Sequence, residues 1–348
     1  MTENEGLRLL SFDGGGIRGL SELCILKTIM YQIQQKENLP TVPLPCEYFD
    51  MIAGTGTGGI IALLLGRLRL TVDKAIEEYV KLTQTVFSET KQWSRSRTKY
   101  SANKLQNSMK DIINSSSGDA EMRMLNDSNG CKIFVCAVPR EHADRPTLFR
   151  SYENQQEPPI NCMVWEAARA TSATHELFKE IHIMTTAGVN EVFINGSYRC
   201  NNPTAVLLEE AAKIFPLEYL ACVVSLGAGQ LHPISFPKLP AQVLQALSQL
   251  ATDCEHTAEE LLARFAKAPN TYYRFNVDQG MQEIESFHSD CLGQVVTHTT
   301  HYMRRTEVQQ RIDLLINTLK ERKKAIPMSH IGIIHVSILS FICSHCLL

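Results

Sequence analysis

Apolar residues in the first 70 positions fall in short, nearly continuous runs interrupted by glycine-rich turns. LRLLSF at 7–12 is followed by a glycine cluster, then by leucine and isoleucine at helical spacing through LSELCILKTIMYQI, a pattern of strand, tight turn and helix. After a proline-marked loop at Pro40 to Pro45 it returns as YFDMIAGTGTGGIIALLLGRL, whose helix is apolar on all sides and hence buried. Two such units in succession predict a parallel α/β sheet. Residues 73–90 predict an amphipathic helix, and the polar stretch 91–130 predicts short helices and loops. CKIFVCAV at 131–138, EVFING at 191–196 and YLACVVSLGAG at 219–229 read as further strands, the last of buried composition. From about 240 to 325 the pattern predicts helices only, and no repeat of fixed period is present. The expected division is an α/β unit over 6–230, a helical extension over 231–325 and an apolar tail over 326–348.

Composition narrows the function classes. In 348 residues, 34 basic side chains nearly balance 37 acidic ones, which leaves no electrostatic footprint for nucleic acid and sets that partner aside. Eleven cysteines, an odd number scattered along the chain, make a poor disulfide framework; Cys24, Cys136 and Cys222 sit in apolar runs and read as buried thiols. The opening MTENEGLRLL lacks a basic segment followed by an apolar one, so the expected location is cytoplasmic, with peripheral contact at membranes. The uncharged tail from Ile326 is long enough to span a bilayer, but three histidines and four serines dilute it, and it reads as a packed or irregular tail rather than an anchor. His345, fourth from the end, excludes a prenylation signature.

Gly14, Gly16 and Gly19 match GxGxxG between a strand and a helix, yet no acidic residue closes a second strand about 20 positions on, as a dinucleotide site would need. No GK[ST] follows to make a phosphate-binding loop either. DGGGIRG instead sets several backbone N–H groups at a helix start, where they can hold a phosphate or the oxyanion of acyl transfer. Gly54-Thr55-Gly56-Thr57-Gly58 then has the frame of a nucleophile elbow, with small residues around the apex of a strand-to-helix turn.

Together these motifs resemble the patatin-like phospholipases, whose signature is DGGGxRG for the oxyanion hole, GxSxG for the nucleophile and a DG[GA] turn for the aspartate of a Ser–Asp dyad. The resemblance runs over about 6–230 and includes WEAARATSA at 165–173 and NNPT at 201–204. It implies a three-layer α/β/α fold with a mainly parallel sheet, hydrolysis of acyl esters of membrane lipids, a membrane phospholipid or other acyl lipid as partner, and no metal or dissociable cofactor. Carried over residue by residue, it implies an oxyanion hole at Gly14, Gly15, Gly16 and Arg18, an elbow frame at Gly54, Thr57 and Gly58, a nucleophile at position 56 and a base at position 195. Those last two positions depart from the family: Gly56 stands for the serine and Asn195, in Asn195-Gly196-Ser197, for the aspartate.

Glycine offers no hydroxyl, and an amide does not accept a proton at neutral pH. Loss of one dyad member costs orders of magnitude in rate, and loss of the second adds little. The expectation is a lipid-binding or regulatory module without ordinary hydrolase activity, in which Gly56→Ser with Asn195→Asp would return turnover. The alternatives are an active phospholipase A2 or lysophospholipase, and an interaction domain whose helical C-terminal part meets a protein partner. Thr55 and Thr57 flank the apex but are expected to point elsewhere, and Ser197 reads as a turn hydroxyl satisfying local backbone. Its own departure from the family pattern favours a natural pseudoenzyme over deliberate inactivation or a gene-model artefact, since no knockout would need it. His175, Trp165 and Arg169 read as structural, Arg169 through an acidic partner. The buried helix at 60–70 is expected to double as the wall for an acyl chain.

Overall fold

A computed structural model describes residues 5–87, 98–126, 130–175, 177–185, 188–235 and 240–331. Its strands are β1 (Leu7–Phe12), β2 (Met51–Thr55), β3 (Lys132–Pro139), β4 (Thr147–Arg150), β5 (Ile181–Met184), β6 (Asn190–Asn195), β7 (Tyr219–Leu226), β8 (Tyr272–Phe275) and β9 (Ile326–Pro327). They form one sheet in the order β5-β6-β3-β2-β1-β7-β8, with β4 also on β3 and β9 also on β7. The pairs within β3-β2-β1-β7-β8 are parallel; β4 and β6 run antiparallel to β3, and β5 antiparallel to β6.

The continuous apolar runs follow from burial on both faces. Along β1, β2 and β3, Leu10, Phe12, Ile52, Ile133 and Val135 join the larger core, whereas Leu7, Leu9, Met51, Ala53, Phe134 and Cys136 join the smaller one behind the sheet. Helices Gly19–Glu37, Val72–Phe87, Ala102–Ser117, Val164–Thr171, Leu292–Met303 and Thr306–Glu321 cover the first face; Thr204–Ile214 and Glu255–Arg264 cover the second. This is the expected three-layer α/β/α arrangement.

Two parts differ from the sequence reading, and the described start of the tail is packed as expected. Among the described residues of 91–130 one 16-residue helix, Ala102–Ser117, forms on the Ser101 cap, whose hydroxyl accepts the Lys104 N–H. The stretch 240–325 is not helices only, because β8 extends the parallel sheet beside β7. In the tail, β9 and the short helix Met328–Ile331 pack on the smaller core, and the rest of 326–348 lies outside the described residues. Among the described residues no helix is long and apolar enough to cross a membrane.

The topology gathers the motifs. β1 and β2 lie side by side and in parallel, so the glycine turns that follow them emerge at the same sheet edge. Thr55 pairs with Cys136, and the next residue of β3, Ala137, pairs with Asn195, which brings the end of β6 level with the second turn.

Candidate active site

The second turn has the geometry of an elbow. Thr55 is still extended, and Gly56 reverses the chain at φ +57, a left-handed conformation that costs an L side chain about 1–2 kcal/mol. The sequence around 171 holds it there. Thr171 Oγ1 accepts the Gly56 N–H at 2.9 Å and donates to the Cys136 carbonyl at 2.6 Å, and Ser172 Oγ donates to the Gly56 carbonyl at 3.4 Å. The Thr55 hydroxyl turns away to the Cys200 carbonyl, as expected for a flanking residue. The Thr57 hydroxyl, in contrast, accepts the Gly15 N–H at 3.4 Å and so ties the elbow to the glycine loop.

The glycine loop is more occupied than its sequence suggests. Gly14 N–H donates to the Asn201 carbonyl at 3.0 Å, and Ile17 N–H donates to the Ser286 carbonyl at 2.7 Å. Gly16, at φ +62, lies directly against that Ser286 carbonyl, and its own carbonyl accepts the Tyr79 hydroxyl at 2.5 Å. Arg18 is buried; its Nε reaches the Gly15 carbonyl at 3.4 Å and its Nη1 has no hydrogen-bond partner among the described residues. Beneath the loop, buried Asp13 meets Arg274 at 2.7 Å, Arg274 meets Glu255 at 2.8 Å, and Glu22 accepts the Asp13 N–H at 2.8 Å. Burial raises the Asp13 carboxyl against the opposing charge of Arg274. Burial, then the nearby Asp13 charge, hold the Glu22 carboxyl well above the usual carboxylate range.

Asn195 closes the site from the third turn. Its Oδ1 accepts the Ser197 N–H at 2.8 Å and its Nδ2 donates to the Thr174 hydroxyl at 2.6 Å, so both ends of the buried amide are committed locally. Gly14, Gly15, Gly16, Arg18, Gly56, Thr57 and Asn195 all line one cavity of about 250 Å³; Gly54 and Gly58 do not line it. Its wall is not the 60–70 helix, whose Ile60 to Leu65 are spent in the core. Phe87, Phe178 and Phe287 form it instead, with ring centroids 6.0 and 5.5 Å from Phe87. Arg18 is the one charged side chain among the described lining residues, and no carboxylate or imidazole joins it.

Sequence reasoning missed Thr174, Ser286 and Phe287 in this cavity. Thr174 carried a signal, since it directly follows the WEAARATSA run, but nothing local marks 286–287. His175 is exposed and outside the lining. Trp165 donates to Glu121, and Arg169 is indeed structural but without an acid: its guanidinium donates to the Ala102 and Lys179 carbonyls, both at 3.0 Å. Among the described residues no group of three or more His, Cys, Asp or Glu is placed to hold a metal ion.

Comparison with known proteins places this geometry. Residues 10–208 match the family described as patatin-like phospholipase. Human calcium-independent phospholipase A2-gamma is 29% identical over 295 residues, covering 79% of this chain and 35% of that protein. Phospholipase A I of Arabidopsis thaliana is 26% identical over 336 residues, covering 78% of this chain and 24% of that protein. Probable inactive patatin-like protein 9 of the same plant is 27% identical over 205 residues, covering 57% and 52%. The solved structure of VipD from Legionella pneumophila aligns with a TM-score of 0.37 at 11% identity, over 90% of this chain and 67% of that one. This chain thus spans about a third of the length of the human relative. Since the family match takes in more than half of the residues, both glycine turns and the Asn195 turn included, the chain belongs to the patatin-like phospholipase family.

Proposed function

We propose that this protein holds an acyl lipid in the cavity between the glycine loop and the elbow without hydrolysing its ester. The carrying observation is the apex itself. Gly56 presents no side-chain oxygen there, and the residue at the base position, Asn195, is an amide bonded at both ends. A hydroxyl nucleophile needs a base within hydrogen-bond reach, and the described lining has no carboxylate or imidazole to serve. The three-phenylalanine wall supports an apolar ligand, and Arg18 with the loop supports an ester or other oxygen-rich head. A plant relative is named probable inactive patatin-like protein 9, which supports the absence of hydrolysis alone. A fluorogenic acyl ester should turn over no faster with the protein than with buffer, while a pyrene-labelled monoacylglycerol binds saturably. Turnover at a rate ordinary for an esterase would overturn the reading in favour of an active phospholipase.

A further inference from the structure

The turn after Asn195 places a hydroxyl beside the apex of the elbow. A Cβ built on Gly56 would lie 3.7 Å from Asn195 Oδ1 but only 3.3 Å from Ser197 Oγ, so the side chain nearest to the apex is Ser197 and not the residue at the base position. The same oxygen lies 2.6 Å from a Cβ built on Gly14, closer than real contacts allow, so Ser197 also occupies the space over the glycine loop. Its backbone N–H is fixed by Asn195 Oδ1, which anchors the residue in that pose. Ser197 is half-buried and lines the cavity, and its hydroxyl has no hydrogen-bond partner among the described residues. A turn hydroxyl satisfying local backbone would not be left unpaired in this way.

We infer that the Ser197 hydroxyl stands next to the position of the reacting oxygen and serves as a hydrogen-bonding contact for the ester of a bound acyl lipid. Without a base beside it the hydroxyl stays protonated, so it contacts the ester and does not attack it. Its presence also obstructs the dyad: a serine introduced at position 56 would meet Ser197 before it met an aspartate at 195. Restoring those two positions alone is therefore insufficient. The contact rests on the lipid reading above; the obstruction does not.

Two measurements test it. Ser197→Ala should weaken binding of the pyrene-labelled monoacylglycerol about fivefold, the loss of one neutral hydrogen bond, with an unchanged melting temperature; unchanged affinity overturns the contact. A fluorophosphonate probe then reads the obstruction, since a competent serine displaces fluoride from phosphorus and passes its proton to the neighbouring carboxylate. Gly56→Ser/Asn195→Asp/Ser197→Gly should be labelled at position 56 at least tenfold faster than Gly56→Ser/Asn195→Asp. Equal rates in the two, or a triple variant that melts normally and is not labelled, overturn the obstruction. Failure of the unaltered protein to bind the monoacylglycerol would sink the lipid reading and the contact with it, while the labelling ratio would still decide where Ser197 stands.

Discussion

Asp13 and Glu22 are two carboxyl groups buried together beneath the glycine loop, one against Arg274 and the other with an oxygen, Oε2, that has no hydrogen-bond partner among the described residues. Removing the guanidinium would leave Asp13 as an uncompensated buried charge. Arg274→Met should therefore cost about 3–5 kcal/mol in urea unfolding; a midpoint equal to that of the unaltered protein would show the pair to be dispensable. The Glu22 carboxyl is raised in the folded state, so its contribution is complete below the ordinary pKa of about 4.5 and is lost as pH rises through the raised one. Glu22→Gln removes that loss. The melting temperature of the variant relative to the unaltered protein should climb as pH increases above about 4.5, and a flat difference would count against a protonated Glu22. None of these partnerships is visible in the sequence. Gly56 and Asn195 were legible because each sits inside a short motif with a fixed frame, whereas Arg274 and Ser286 reach the loop from more than 250 positions away.

The helix Pro240–Ala251 contains no charged residue and contributes Ser248 to the cavity lining. Leu244, Leu247 and Leu250 are 74%, 49% and 51% exposed, and Leu231, another lining residue, is 52% exposed. Single exposed leucines are ordinary, but three on the helix that supplies Ser248, with Leu231 in the lining itself, suit contact with an apolar surface. Replacing Leu244, Leu247 and Leu250 with Ser should reduce co-sedimentation with phosphatidylcholine vesicles several-fold and leave binding of a dispersed monoacylglycerol intact; equal sedimentation would dissociate this helix from lipid. At this scale the sequence was readable wherever both faces of an element are buried. LRLLSF and CKIFVCAV predicted β1 and β3 almost to the residue. The four-residue strands β4, β5 and β8 were not foreseen, because so short a run shows no period, and β8 carries Arg274 in its middle.

At the scale of the whole molecule, the family match ends at residue 208, before β7 and β8. The sheet does not end there. β7 lies between β1 on one side and, on the other, β8 and β9, both contributed by the chain beyond residue 270. Sequence pattern alone placed a boundary near 230, where strand composition gives way to helical periodicity. The boundary is one of pattern, and the hydrogen bonding crosses it. A chain ended at residue 230 would leave β7 with an unpaired row of N–H and carbonyl groups flanked by Val223, Val224 and Leu226, an open template for self-association. Expressed alone it should pellet, whereas the chain to residue 331 stays in the supernatant. Any rearrangement that moves this fold to a new protein must therefore carry a strand from the far end of the chain with it, which makes the fold a clasp rather than a detachable cassette.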